Sequence, residues 1–466
     1  MEHAIEPRGR WWDLIREALQ GSRQDYTSGP IARSLILLAI PMVLETAMES
    51  IFALVDVFFV SRLGPDAVAT VGLTESMLTM VYTAAIGLSI GVTAVVARRI
   101  GEKDPRGAAQ GAFQGIVLGL IVACLVAAVG ILYAPDLLAL MGASGSVQAG
   151  GAGYTRVMLG GSGTVLMLFL INAVFRGAGD ATIAMRSLWL ANGINIALDP
   201  CLIFGLGPFP AMGVTGAAVA TTIGRGIGVL YQVSRLMRRD GRIRIGRQDL
   251  AVRPAALRTL VRLSATGTFQ VFIGTASYVA LVRLVSNFGS NVLAGYTIAI
   301  RLVIFVMLPS WGLSNAAATM VGQALGAQKP DRAERSVRLA AFYNMLMLGA
   351  VSLVFLVLAV PIVGVFSRDP AVLPNGVLAL RTVSAGLAFY AYGMVLHQAF
   401  NGAGDTRTPL LLNLLCFWLM EIPIAWILSA QLGAVGVYLA IPIAESALTV
   451  LSALVFRRGR WKEKLV

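Results

Sequence analysis

From Ile31 to the C-terminal tail, long runs of mostly apolar residues follow one another, many of 20 or more, with short polar breaks between them. A run of that length crosses the ~30 Å hydrocarbon core of a bilayer as a helix. No water is available there, so each backbone N–H and C=O must be satisfied within its own segment, and the helix does this. Composition agrees: 57% of the chain is hydrophobic and 13% charged, where a soluble domain carries about 25% charged residues. A transmembrane barrel would show short segments of alternating polarity instead. The fold class is therefore an all-α membrane protein. Twelve transmembrane helices are predicted over residues 34–61, 67–97, 108–133, 152–175, 182–204, 213–235, 258–286, 292–324, 336–361, 376–399, 408–430 and 434–456.

The first 30 residues are polar and show no apolar core after a basic start, so no cleaved signal is expected. Within them "RWWDLIREAL" puts Trp11, Ile15 and Leu19 on one helical face, which suits a short interfacial helix or, equally, a frayed tail. Cys124, Cys201 and Cys416 all sit in apolar runs and read as packing residues rather than a disulfide or metal framework. The net charge of +13 does not call for nucleic acid, because it is a loop bias. Of 37 Lys and Arg residues, 30 fall in the N-terminal tail, the even-to-odd loops and the C-terminal tail, helix ends included. Positive-inside orientation then places both termini in the cytoplasm, which requires an even number of spans.

The chain is also internally duplicated. "FRGAGD" at 175–180 returns as "FNGAGD" at 400–405, and the offset of 225 holds more widely. Arg33 and Leu35 match Arg258 and Leu260, Ser61 and Gly64 match Ser286 and Gly289, and Gly101 and Pro105 match Gly326 and Pro330. Past the loop "GLGPFPAM" the offset falls to 220, where "GVTG" at 213 meets "GAVG" at 433. The expected organisation is a tail (1–30), a first lobe (31–237), a basic linker (238–257), a second lobe (258–457) and a short tail (458–466). Two like-oriented six-helix lobes should be related by an axis along the membrane normal with a cavity between them, a transporter's architecture that a channel could share. The Gly-Ala-Gly-Asp pair itself reads as a helix-ending turn, with Asp180 or Asp405 capping the next helix.

Ionisable groups at membrane depth are costly, and each is a functional candidate. The first span carries Glu45, Glu49 and Asp56, all within about 40° of one another at ~100° per residue. They form either a functional stripe facing the bundle or a structural hydrogen-bonding one. In the fifth span Asn192, Asn195 and Asp199 share a face, and Pro200 cannot bond the carbonyl of Ile196. A freed carbonyl beside a carboxylate and an amide suits a small cation or a proton; the alternative is a kinked helix glued by its Asn residues. Pro41 loosens the first span beside the acidic stripe, so Pro41 and Pro200 are candidate hinges. The second half lacks these acids: Leu281 stands opposite Asp56 and Ile424 opposite Asp199, while His397 matches Asn172. It has other charges, among them Arg283, Arg301, Arg381, Glu421 and Glu445, and Arg283 and Arg301 are expected to pair with Glu421 or Glu445.

"VDVFFVSRLG", "FRGAGD" followed by "NGINIALDP", "GVTGAAVATT", and "FNGAGD" followed by "EIPIAW" together resemble the multidrug and toxic compound extrusion (MATE) family over residues 31–458. The resemblance implies a V-shaped, two-lobed, twelve-helix antiporter in which H⁺ or Na⁺ runs inward and organic, often cationic, compounds leave by alternating access. It implies a first-lobe cation site at Asp56, Asn195 and Asp199, able to take Na⁺, with Asn172 and Thr221 contributing, and a first-helix bend at Pro41. Glu49 stands where relatives often carry Gln, and that extra carboxylate could alter ion choice. Glu45, Asn192, Glu421, His397, Arg283 and Arg301 are further candidates for lining a substrate cavity. No cofactor beyond the coupling ion is expected. The expected partners are small organic substrates and the lipid bilayer, with no nucleic acid, the protein acting as a monomer in a bacterial or archaeal cytoplasmic (inner) membrane. A lipid-linked precursor flippase is the alternative within the superfamily. No "HExxH" or "GxSxG" supports an enzyme, and uphill transport would distinguish a carrier from a channel.

Overall fold

The computed structural model describes residues 9–22, 24–238 and 241–464, and all its regular elements are helices. A short helix, α1 (Gly9–Gln20), precedes α2 (Ile31–Ser61), α3 (Pro65–Gly101), α4 (Pro105–Leu140), α5 (Gly145–Gly160), α6 (Ser162–Ala178), α7 (Ala181–Phe204) and α8 (Val214–Met237). The second series is α9 (Pro254–Ser286), α10 (Ser290–Gly326), α11 (Pro330–Phe366), α12 (Leu373–Ser384), α13 (Leu387–Gly402), α14 (Arg407–Asn413), a π-helical stretch (Leu414–Glu421), α15 (Ile422–Leu432) and α16 (Ala434–Arg457). Among the described residues ten helices or merged helix pairs are long and apolar enough to span a bilayer, and the bent pair α12–α13 makes eleven. The remaining predicted span is α8, whose 24 residues suffice in length but include Thr215, Thr221, Thr222, Arg225 and Gln232.

The duplication is written into the turns. After α6 and after α13, Gly179 and Gly404 take φ of 81° and 82°, and the N–H of the following Asp180 or Asp405 bonds the carbonyl of Phe175 or Phe400 at 2.8 and 2.9 Å. These are glycine-terminated helix ends that satisfy otherwise orphaned carbonyls. Asp405 accepts from Thr408 Oγ1 at 2.7 Å. After α3 and α10 the left-handed position is held by Lys103 and Gln328, 225 residues apart, each two residues before the proline that opens the next helix. Breaks also repeat: α5 and α6 part at Gly161, α12 and α13 at Gly386, again at the 225 offset.

The chain divides into two compact units whose boundaries differ from those expected. One holds the described N-terminal tail with Ile40–Thr268, the other Gln24–Ala39 with the chain from Phe269 onward. The divisions fall inside helices, because the first turns of α2 and the first half of α9 pack with the opposite unit from the rest of the same helix. In the second unit Lys329 Nζ donates to the Thr27 carbonyl and Arg332 to the carbonyls of Tyr26, Ser28 and Gly29, all at 2.7–2.9 Å. In the first unit the Thr268 backbone nitrogen lies 2.4 Å from where a Cβ would stand on Gly87, so only glycine admits α9 there. Helix α1 ends against α7: Thr182 Oγ1 donates to the Ala18 carbonyl at 2.9 Å and Arg186 to that of Leu19 at 2.8 Å, taking up carbonyls left free at a helix end. Ile15 and Leu19 are half-buried and Trp12 is exposed; the Trp11 side chain and residues 1–8 lie outside the described residues.

Each unit has its own apolar core, around Leu166, Leu170, Ile171 and Phe175 in one and Tyr296, Val303, Leu387 and Tyr438 in the other. Large apolar side chains such as Leu120, Leu125, Val129 and Leu132 of α4 are exposed, as expected where lipid is the solvent. The three cysteines are free.

Candidate functional site

The acidic stripe of α2 faces into the first unit, and each acid meets a different set of partners. Asp56 is buried at 8% exposure and lies within electrostatic range of Asp199, Glu75 and Arg225. On α7, Asn195 Nδ2 donates to Thr221 Oγ1 of α8 at 2.9 Å and approaches Asp199 Oδ1 at 3.4 Å. Asp199 is fully buried, and its Oδ2 together with Asn195 Oδ1 is shielded from solvent with no hydrogen-bond partner. Tyr154 of α5 is buried within electrostatic reach of both Asp56 and Asp199. Asn195, Asp199 and Thr221 are thus in hydrogen-bond contact, with Asp56 in electrostatic reach of Asp199. Unsatisfied buried oxygens normally cost free energy. A group of acceptors lacking donors is set to receive a proton or a small hard cation, which prefers oxygen ligands.

Glu49, one turn past Glu45 on the same helix, takes a different role. It accepts from Asn192 Nδ2 at 3.2 Å and pairs with Arg225 of α8 at 3.4 Å. The Arg225 guanidinium is buried between Phe52 and Tyr82, 5.6 Å from each ring centroid. A cation in this position compensates Glu49 and adds cation–π attraction.

Glu45 is the most tightly engaged acid. Arg176 of α6 pairs with its Oε1 at 2.6 Å, and Asn172 Nδ2 donates to the same oxygen at 2.9 Å. Asn172 Oδ1 in turn accepts from Ser187 Oγ at 2.9 Å and Gln232 Nε2 at 2.6 Å. Asn172 therefore hydrogen-bonds to Glu45, Ser187 and Gln232, sharing the Glu45 oxygen with Arg176, whereas Asn195 bonds Thr221 and Asp199. Charge neutralisation and these hydrogen bonds make Glu45 and Asn172 a cross-link between α2, α6, α7 and α8, with Glu45 Oε2 and Gln232 Oε1 shielded from solvent and without a hydrogen-bond partner.

In the second unit, Glu421 is buried on the π-helical stretch and accepts from Ser277 Oγ of α9 at 2.7 Å. His397 is buried with both ring nitrogens occupied, Nε2 by Asn413 at 2.9 Å and Nδ1 by Ser452 at 3.3 Å, a packed and satisfied histidine. The expected pairing of Arg283 and Arg301 with Glu421 or Glu445 is not found. Both arginines lie on exposed faces of α9 and α10, and among the described residues neither makes an ion pair. Periodicity places a residue on a helix but does not say which face its neighbours cover.

Pro41 lies within the continuous helix α2, two residues past the division between units, and Pro200 lies within α7. Arg176 and Arg225 were not among the expected site residues. Arg225 carried a legible signal, a charge in the middle of "TTIGRGIGVL".

The MatE family model matches residues 41–201 and again 268–427, once in each half. The chain is 25% identical over 442 residues to the probable multidrug resistance protein NorM of Thermotoga maritima, covering 94% of each chain. It is likewise 25% identical over 425 residues to the FAD transporter of Shewanella oneidensis, covering 91% of this chain and 94% of that one. Among solved structures, MATE in complex with MaL6 superposes with a TM-score of 0.88 at 27% identity, covering 96% of this chain and 100% of that one.

Proposed function

The chain belongs to the MatE family, and from that premise we propose that it is a secondary active multidrug efflux transporter. It exchanges H⁺ or Na⁺ for organic, often cationic, compounds across a bacterial or archaeal cytoplasmic membrane, as a monomer with both termini in the cytoplasm. The observation that carries the coupling step is the set of buried acceptors at Asp56, Asn195 and Asp199, with Asp199 Oδ2 and Asn195 Oδ1 lacking donors. A proton or Na⁺ entering there neutralises charge that is expensive to bury. Thr221 orients Asn195 through its hydrogen bond. Occupancy alters how α2 packs beside Pro41, and the conformation with lower substrate affinity is favoured. The ion must bind the two conformations unequally for this to drive transport.

The name multidrug resistance protein belongs to a relative, and another relative is named an FAD transporter. A flippase for anionic lipid-linked precursors would need an inward cationic surface, and Arg283 and Arg301 are exposed and do not supply it within their unit. The test is a drug-susceptibility and dye-efflux assay in a pump-deficient host, in Na⁺-free and Na⁺-containing media with a protonophore control. Efflux that responds to one of the two gradients supports antiport; efflux indifferent to both contradicts it.

A further inference from the structure

Between α8 and α9 the chain carries the basic stretch "RRDGRIRIGRQDLAVR". Positive-inside bias accounts for arginines on such a loop, but not for a loop with a fixed fold. This one is fixed, wholly within the first unit. Ile243 is buried in the first core, Ile245 packs against it, and the Ile245 N–H donates to the Leu236 carbonyl at 3.1 Å. Farther along, the fully buried Gln114 of α4 donates through Nε2 to the Ala251 carbonyl at 2.7 Å and accepts at Oε1 from the Arg253 N–H at 3.3 Å. Between these anchors lies a short 3-10 turn, Arg247–Asp249, closed by Asp249 Oδ2 accepting from the Gly246 N–H at 2.9 Å.

Held in this way, the linker forms with the start of α4 a cleft of about 530 Å³. Its lining includes Arg242, Arg244 and Arg247 of the linker and Arg106 from the first turn of α4, against one acid, Asp249. Arg242 also donates to the Ser22 carbonyl at 2.6 Å. Arg106, Arg244 and Arg247 are exposed, and among the described residues none of the three makes an ion pair. The acids on the adjoining segments are engaged locally. Glu102 is held by Arg98 and Arg99 at 3.5 and 2.8 Å, Asp104 accepts from the Gly107 N–H at 2.9 Å, and Asp249 closes its own turn. Asp240 lies outside the described residues.

Several guanidinium forks around one cleft match the oxygens of a phosphate group, which accepts paired N–H donors. The flank of the cleft points to the source of that phosphate. Leu250 and Val252 follow the 3-10 turn directly and are 52% and 55% exposed. A soluble phosphate compound would leave these side chains in water. At a bilayer surface, basic groups meet lipid headgroups while neighbouring apolar side chains reach the acyl boundary. We propose that this cleft binds the headgroup of an anionic phospholipid, with Arg106, Arg244 and Arg247 on the phosphate and Leu250 and Val252 against the acyl chains. The choice of leaflet rests on the cytoplasmic placement of the termini proposed above; binding itself requires neither that placement nor antiport.

The experiment is native mass spectrometry of the purified full-length protein in detergent, titrated separately with phosphatidylglycerol, phosphatidylcholine and inorganic phosphate. The expected result is retention of phosphatidylglycerol over phosphatidylcholine, weakened roughly tenfold or more in the triple variant Arg106→Ala/Arg244→Ala/Arg247→Ala. A control removes three exposed arginines elsewhere, Arg457→Ala/Arg458→Ala/Arg460→Ala, and should leave retention as in the parent protein. Leu250→Ser with Val252→Ser should weaken phosphatidylglycerol retention as well. Where the triple variant does not fold, the single Arg244→Glu decides: weakened retention supports the site and unchanged retention overturns it. Equal losses in the two triple variants overturn it, since the charge of the whole surface would then be responsible. Retention of inorganic phosphate without phosphatidylglycerol also overturns it, because the ligand would then be soluble. Failure of the antiport reading is seen separately, in transport assays of Asp56→Asn, and leaves these lipid measurements unaffected.

Discussion

Where the first unit buries Asp56, Asp199 and Thr221, the second packs Leu281, Ile424 and Ile441 into its apolar core. At another set of equivalent positions both units are polar. The first links Glu45, Asn172 and Gln232 by hydrogen bonds. The second links Gln270, His397 and Ser452, with Asn413 donating to the Gln270 carbonyl at 3.2 Å. A polar cross-link between the first helix of a lobe and its inner neighbours therefore recurs with changed residues, while Asp56 and Asp199 have no acidic counterparts at the equivalent positions. Recurrence marks what six packed helices need in either copy; singularity is what the proposed coupling chemistry would require. By this reasoning Asn172 moves from the coupling site, and Glu45 from the candidate substrate cavity, to the framework.

The contrast can be broken first at its framework. Arg176→Ala leaves Glu45 buried and unpaired, and the expected loss is about 3–5 kcal/mol, read as a lowered melting temperature in detergent. Replacing both partners, Arg176→Met with Glu45→Leu, should recover most of it; no recovery would mean that the pair has a role beyond mutual neutralisation. Leu281→Ala is next. It opens a cavity in the second core and should cost about 2–5 kcal/mol, while ion dependence stays as in the parent protein. A change in coupling ion would show that the second unit's equivalent position is not merely packing. The mildest is His397→Leu, which leaves Asn413 and Ser452 short of a partner at a cost of about 1–3 kcal/mol, with gradient-driven efflux retained once the protein is folded. Lost coupling in a stable His397→Leu protein would make that histidine a proton relay.

The recurrent pattern was legible in the sequence because its signals are local. Apolar length marks a span, and glycine, proline and aspartate mark the turns, down to the shared Gly179 and Gly404 geometry. The nearness of Asn195 and Asp199 was also legible, since they share a helix face, while Thr221 joined them only through the family resemblance. Depth and partner were not. A shared face says that Glu45, Glu49 and Asp56 point one way, but not that Arg176 meets one and Arg225 another. The unit boundaries inside α2 and α9 escaped for the same reason, because which neighbour a helical turn packs against is a tertiary property.

The central claim is that coupling resides in the unduplicated acids of the first unit. The most direct measurement is substrate movement in proteoliposomes under an imposed H⁺ or Na⁺ gradient, comparing the parent protein with Asp56→Asn after both are shown to be folded. The account predicts uphill transport in the parent and a drop of roughly tenfold or more in Asp56→Asn, a difference of about 1.4 kcal/mol or more in the driven step, with downhill substrate exchange persisting. Undiminished gradient-driven transport by folded Asp56→Asn protein would contradict it.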